Sequence, residues 1–95
     1  MTDTYTFNED KYLAELQDYI TDTYSQHYAK GKLQSTEFII DSGHGEGFAL
    51  GNIMKYAQRF GNKDGKNRKD LLKILHYGMI ALYNLDMETN KNENE

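Results

Sequence analysis

The sequence contains no cysteine, no proline and no tryptophan. Without cysteine, the chain can form neither disulfides nor thiolate zinc sites, and it has no cysteine nucleophile. It has no apolar run near the roughly 18 residues that a membrane span needs, and no basic-then-apolar leader of the secretory type. We therefore expect no membrane partner, no disulfide framework and no signal peptide.

The chain is short, with 95 residues and a mass of 11.0 kDa. Hydrophobic residues make up 38% and aromatic residues 13%, which is enough apolar material for a small core. This composition predicts one globular domain rather than a disordered chain.

The net charge of −4 at pH 7 argues at first against an anionic partner, but the charge is unevenly distributed. Residues 55–73 carry seven cations and two aspartates, a local charge of +5, whereas the remainder carries −9. The seven cations are Lys55, Arg59, Lys63, Lys66, Arg68, Lys69 and Lys73. A basic centre within acidic flanks permits a small phosphate-bearing ligand and argues against nucleic acid as the partner.

Apolar residues spaced three and four apart predict an all-α fold. The predicted elements are helices over about 9–28, 46–60 and 67–86, a short helix at 35–40, a turn at 30–32, and loops at 41–47 and 61–67. The β-branched residues leave a strand open as the alternative at 35–40. We therefore expect a small bundle of three long helices plus one short helix.

The same patterns divide the chain into a flexible N-terminus (1–7), a single helical domain (8–87) and a disordered acidic tail (88–95). Two helices are apolar around much of their circumference, which is more than one packing partner covers. The surplus predicts a homo-oligomer.

The basic segment is the strongest candidate for a site. Lys55 and Arg59 are four residues apart on one predicted helix, and Lys73 and Tyr77 are four apart on the next. If these helices pack antiparallel, the cations converge with Lys63 of the connecting loop to form an anion site. The alternative is a solvated charged surface whose long side chains lie over the bundle.

Four other residues each allow two interpretations. Asn52 lies on an apolar helix face, where it either hydrogen-bonds a neighbouring helix or contacts a nucleobase or sugar. Gly51 indicates either close helix packing or close approach of a ligand. His44, in a glycine-rich loop, is either a phosphate contact or an ordinary loop residue, and His27 is either structural or at the edge of the site.

No phosphate-binding loop and no metal-binding pair occurs in the sequence. We assign no catalytic residue, no metal ligand and no cofactor. The sequence favours binding an anionic ligand over transforming one.

Several motifs occur together in a recognisable order. They are His27-Tyr28, Glu37-Phe38-Ile39, a Gly-Phe-x-x-Gly-Asn-x-x-Lys-Tyr-x-x-Arg helix over 47–59, Lys63-Asp64-Gly65 and Asp70-Leu71-Leu72-Lys73. In this order and spacing, residues 27–83 resemble a small phage family described as SaV-like proteins or podophage-type nucleotide kinases. The chain differs from the family at Ile74, where alanine is common, and it lacks the extra region of longer kinase members.

The resemblance implies a phage protein that binds or acts on nucleotides in the cytoplasm of the infected host cell. The family's shared polar positions fall on His27, Tyr28, Gly51, Asn52, Lys55, Tyr56, Arg59, Lys63, Asp64, Gly65, Asp70 and Lys73. Because the kinase-specific region is absent, the resemblance favours nucleotide binding over phosphoryl transfer.

These observations lead to one main hypothesis and two alternatives. In the main hypothesis, the protein sequesters a nucleotide second messenger of host immunity. Lys55, Arg59, Lys63 and Lys73 would bind phosphate, Asn52 with Tyr56 or Tyr77 would contact the base or ribose, and the His44 loop would close over the ligand. The first alternative is a nucleoside monophosphate kinase in which Asp64 or Asp70 helps to hold magnesium. The second is an inhibitor that binds a host protein or nucleic acid.

Overall fold

The computed structural model describes residues 5–93, and the side chains of 27–29 and 91–93 lie outside the description. Four helices follow one another along the chain: α1 (Glu9–Ser25), α2 (His27–Asp41), α3 (Gly45–Arg59) and α4 (Arg68–Glu93). Residues 5–93 contain no strand. The predicted all-α class is confirmed, and the strand alternative at 35–40 is wrong.

The first half of the chain differs from the prediction in where its helices begin and end. α1 ends at Ser25, and only Gln26, with φ −87° and ψ 130°, separates it from α2. α2 then continues through the predicted turn at 30–32, so the predicted short helix is part of a helix of 15 residues. Gly31 does not adopt a left-handed φ there. Helix α2 contains no proline that would interrupt its backbone hydrogen bonds, and Gly31 does not interrupt them either.

Helix α3 and the loop that follows it agree closely with the prediction. α3 begins at Gly45, directly after a turn at Gly43 with φ 92°. Gly61 (φ 83°) stops α3 as predicted, and Asp64 and Gly65 also take left-handed φ values in the loop that follows.

The last helix is longer than expected. α4 continues to Glu93, so residues 88–93 are helical where the sequence predicts a disordered tail. This stretch contains no glycine or proline that would end the helix, and Asn84 Nδ2 donates a hydrogen bond to Glu88 Oε1 at 3.3 Å. The rest of the predicted tail (94–95) and residues 1–4 of the predicted flexible N-terminus lie outside the described residues.

The α3–α4 hairpin forms the centre of the molecule. Gly45 near the start of α3 contacts Asn84 of α4, whereas Arg59 at the end of α3 approaches Asp70 at the start of α4. The two helices therefore run antiparallel. Ala49 is fully buried between them. Close packing of these two helices fixes the relative positions of their basic residues.

α1 adds a smaller contact to this hairpin. Its Leu16 is buried, and the Arg68 guanidinium of α4 donates hydrogen bonds to the Glu15 carboxylate, one of them at 2.6 Å. This charge-assisted pairing lowers the pKa of Glu15. No helix in the described part of the chain is both long enough and apolar enough to span a bilayer.

His76 gives the fold a dependence on pH. Its ring meets the Tyr19 ring edge to face at 6.3 Å, and burial lowers the pKa of His76 below its usual 6.5. The unfolded chain therefore takes up a proton at a higher pH than the folded chain does. We expect the free energy of unfolding to fall as the pH decreases through 6.5. Urea titrations above and below pH 6.5 would measure this decrease in the free energy of unfolding. The His76→Phe variant should show a smaller decrease. An identical decrease in this variant would contradict the assignment.

Candidate functional site

Three cations surround one buried tyrosine. The Tyr56 ring centroid lies 4.9 Å from Lys73 Nζ, 5.1 Å from Lys55 Nζ and 5.9 Å from Arg59 Cζ. These distances are typical of cation–π contacts. The Tyr77 ring stacks on the Tyr56 ring, with centroids 6.1 Å apart and planes 14° apart. We call these five residues the lysine–tyrosine cluster.

The local sequence explains how the lysine–tyrosine cluster forms. Lys55 and Arg59 are one turn apart on α3, and Lys73 and Tyr77 are one turn apart on α4. Because the two helices pack antiparallel, these two pairs of side chains meet around Tyr56. This is the convergence that the sequence predicts for antiparallel helices. Burial raises the pKa of the Tyr77 phenol, with a further contribution from the neighbouring Tyr56. This phenol is therefore neutral near pH 7.

The positive charge of the cluster is only partly compensated. Arg59 approaches Asp64 at 3.9 Å and Asp70 at 3.8 Å, and Asp70 is only 3% exposed. The Asp70 Oδ2 atom is buried without a hydrogen-bond partner. Lys55 and Lys73 form no ion pair with any side chain that the structure describes. The cluster therefore retains positive charge beside its aromatic rings.

A cleft of about 540 Å³ opens between α2 and α3, next to the cluster. It is lined by Gly31, Lys32, Ser35, Thr36, Phe48, Asn52, Lys55, Tyr56 and Tyr77. We call it the α2–α3 cleft. Its volume falls within the range of about 300–1,000 Å³ that is usual for small-molecule sites. Two further cavities are present: one of about 550 Å³ is lined by residues of α1, α2 and α4. The other, of about 80 Å³, shares Lys32, Thr36, Tyr56 and Tyr77 with the cleft and reaches Lys73.

Asn52 and Gly51 of α3, for each of which the sequence allows two interpretations, differ in their surroundings. Asn52 Nδ2 donates a hydrogen bond to the Phe48 carbonyl oxygen at 2.9 Å, so the amide is held by its own helix and not by a neighbouring one. Its Oδ1 atom accepts no hydrogen bond from the residues described. Gly51 is exposed, and no described atom outside its own stretch of helix lies within 4 Å of its Cβ position. The packing explanation for Gly51 is therefore wrong within a single chain.

Two of the predicted site residues, His44 and Lys63, do not join the cluster. His44 precedes α3 and is exposed, and Lys55, 11 positions further along the chain, lies about 16 Å away along the helix. Lys63 is exposed in the loop beyond Arg59. The His27 side chain lies outside the described residues. The loop closure predicted for His44 has no counterpart in this arrangement.

Helix α2 contributes residues that the sequence reasoning missed. Lys32, Ser35 and Thr36 line the α2–α3 cleft. They are spaced three and four apart, which is the signal of one helical face. The predicted turn at 30–32 concealed that signal, because it assigned Lys32 to a connection rather than to a helix.

No cluster of three or more histidine, aspartate or glutamate residues in the described part of the chain could hold a metal ion. The chemistry available in the cleft consists of two ammonium groups, hydroxyls, an amide and aromatic faces. Such groups bind an anion that also carries a planar or polar portion.

No curated protein and no solved structure matches the chain. Residues 22–78, more than half of the chain, match a family described as protein of unknown function (DUF3310). The match includes α2, α3, and every residue of the lysine–tyrosine cluster. The chain is therefore a member of the DUF3310 family.

Proposed function

We propose that the protein binds a phosphorylated nucleotide in the α2–α3 cleft. The observation that carries this proposal is the meeting of Lys55, Arg59 and Lys73 around the Tyr56 ring beside a cleft of suitable volume. A nucleotide needs cationic groups for its phosphates and apolar or amide groups for its base. The cleft offers both kinds within one small region.

Each group has a chemical role in the proposal. Lys55 lies on the wall of the cleft and pairs with a phosphate oxygen, while Lys73 and Arg59, which also contact the Tyr56 ring, add positive potential. The amide oxygen of Asn52 accepts a hydrogen bond from the base or ribose. Phe48 and Tyr77, whose rings meet at 5.9 Å, supply an aromatic surface for the base.

The proposal extends to trapping of the ligand by a homo-oligomer. The resemblance to a small phage family supports sequestration of a host nucleotide second messenger in the cytoplasm of an infected cell. The exposed apolar surface supports the oligomer. In this role the ligand is held and later released unchanged.

Calorimetry with a panel of ligands tests nucleotide binding. The panel contains cyclic dinucleotides, cyclic trinucleotides, ADP-ribose derivatives, dTMP and dGMP. We expect Lys55→Ala to weaken binding by about 10- to 100-fold, because a hydrogen bond to a charged group contributes about 1.5–3 kcal/mol. Lys69→Ala is the matched control, since it removes the same charge from an exposed position outside the cleft. No binding of any ligand, or equal losses in both variants, would contradict the proposal.

Turnover separates trapping from catalysis. The protein is mixed with ATP, magnesium and either dTMP or dGMP, and the nucleotides are recovered after denaturation. Recovery of the unchanged monophosphate supports trapping. Transfer of the γ-phosphoryl group, which yields ADP and a nucleoside diphosphate, would replace trapping with the kinase alternative.

A further inference from the structure

Helix α4 carries a row of leucines on its outer face. Leu71, Leu75, Leu82 and Leu85 are 45%, 49%, 62% and 54% exposed. Together with Gly78 they follow one another at alternating spacings of four and three residues, over about 21 Å of helix. This is the spacing of a coiled-coil seam. We call these five residues the leucine stripe.

The leucine stripe lies away from the hairpin contact. The residues of α4 that approach α3 are Asp70, Tyr77 and Asn84, which by their spacing lie about 120° around the helix from the stripe. No element of the described chain therefore covers the stripe. An exposed heptad seam of leucines is unusual for a monomer, because water-exposed apolar patches favour association.

The chain also exposes more surface than its mass predicts. Folded monomers of 11.0 kDa have an accessible surface of about 5,600 Å², whereas this chain has 7362 Å². The radius of gyration is 15.3 Å, compared with about 12.4 Å for a compact domain of this length. The excess area, roughly 1,700 Å², is larger than the about 800 Å² that each partner buries in a standard interface.

We propose that a second copy of this chain packs along the leucine stripe, with the two α4 helices antiparallel and crossing near Gly78. Gly78 lies midway between Leu71 and Leu85. Leu71 of one copy therefore meets Leu85 of the other copy, and the same pair recurs on the other side of the crossing. Apart from its own stretch of helix, no atom of residues 5–93 lies within 4 Å of the Gly78 Cβ position, which leaves room for a second helix backbone to approach closely.

The charges of α4 favour the antiparallel orientation. Arg68, whose guanidinium also pairs with Glu15, lies at its start and Asp86 lies near its end, and both flank the leucine stripe. Antiparallel pairing places the basic end of one helix beside the acidic end of the other, whereas parallel pairing places like charges together. The helix dipoles also oppose one another in the antiparallel arrangement.

This inference rests on the homo-oligomer part of the proposed function. It names the leucine stripe as the surface through which two copies associate. It leaves the α2–α3 cleft open, because Lys73 and Tyr77 lie on the other side of α4. Ligand binding and dimer formation are therefore measured separately, and the tests below use the ligand-free chain.

Analytical ultracentrifugation of two matched variants tests the surface. We expect the wild-type chain to have twice the mass of 11.0 kDa and Leu82→Glu to be monomeric, because the charge cannot be buried in the seam. Leu13→Glu is the control, since Leu13 on α1 has the same exposed fraction, 62%, as Leu82. Circular dichroism checks that both variants are folded.

The outcomes of this experiment are distinguishable. A monomeric wild-type chain would overturn both the oligomer and the interface. A dimer that persists in Leu82→Glu, or that is lost equally in Leu13→Glu, would overturn the leucine stripe alone.

Disulfide cross-linking tests the orientation, because the natural chain contains no cysteine. We expect Leu71→Cys and Leu85→Cys to cross-link when the two variants are mixed and not when each is alone. Cross-linking of each variant with itself would indicate parallel helices and overturn the antiparallel arrangement.

Discussion

Replacing Tyr56 with alanine is expected to lower the free energy of unfolding by about 3–5 kcal/mol. The ring is only 5% exposed, stacks on Tyr77 and contacts three cations, so its removal leaves a cavity in the hairpin and exposes the cations to one another. Domains of this length are stabilised by about 5–14 kcal/mol in total. Urea or thermal unfolding, followed by circular dichroism, measures the loss.

Tyr56→Phe is the matched control for this prediction. It keeps the ring between Tyr77 and the cations and removes only the hydroxyl. We expect this variant to lose much less stability than the alanine variant does. Equal losses would show that the hydroxyl, and not the packed ring, stabilises the hairpin.

Replacing Gly45 with alanine is the second large expected effect, with a loss of about 1–3 kcal/mol. A Cβ atom at Gly45 would lie 2.9 Å from Ile40 Cγ1, and it would overlap the Asn84 side chain. Asn84 is itself buried and hydrogen-bonded to Glu88, so it has little room to move. The start of α3 must therefore separate from α4. Chemical denaturation of the variant measures the loss.

Gly51→Ala provides the contrast on the same helix. Gly51 lies in the middle of α3, its φ is not left-handed, and no atom lies near its Cβ position. Alanine there should stabilise the chain by about 0.4–1 kcal/mol. If both glycine variants destabilised the chain equally, the contact between Gly45 and Asn84 would not be the cause of the first loss.

The sequence predicts the hairpin well because its signals are local. The apolar spacing of α3 and α4 and the glycine at Gly61 are sufficient to place the two helices and the loop between them. The convergence of Lys55, Arg59 and Lys73 then follows from antiparallel packing of neighbouring helices. Such features depend on residues that are close in the chain.

The boundary between α1 and α2 could not be predicted, because no residue there marks it. Gln26 has no special preference for extended backbone, yet it alone interrupts the helices, while Gly31 continues α2. Packing against other helices decides between such weak preferences. The assignment of 30–32 to a turn then removed Lys32 and its helical neighbours from the expected site.

The proposed role of His44 shows a different limit. A histidine among glycines is a reasonable candidate for a phosphate contact, but its place depends on which end of α3 faces the site. The structure puts His44 at the start of α3 and the lysine–tyrosine cluster near its end. A distance along a helix can be estimated only after the helix boundary is known.

The arrangement of the α3–α4 hairpin has a consequence for folding kinetics. Its two helices are joined by a loop of only eight residues, from Phe60 to Asn67, so their contacts close a short segment of chain. Proteins dominated by such local contacts fold quickly, and a chain without proline has no slow prolyl isomerisation step. We therefore expect folding to begin in this hairpin, with the lysine–tyrosine cluster assembled before α1 docks.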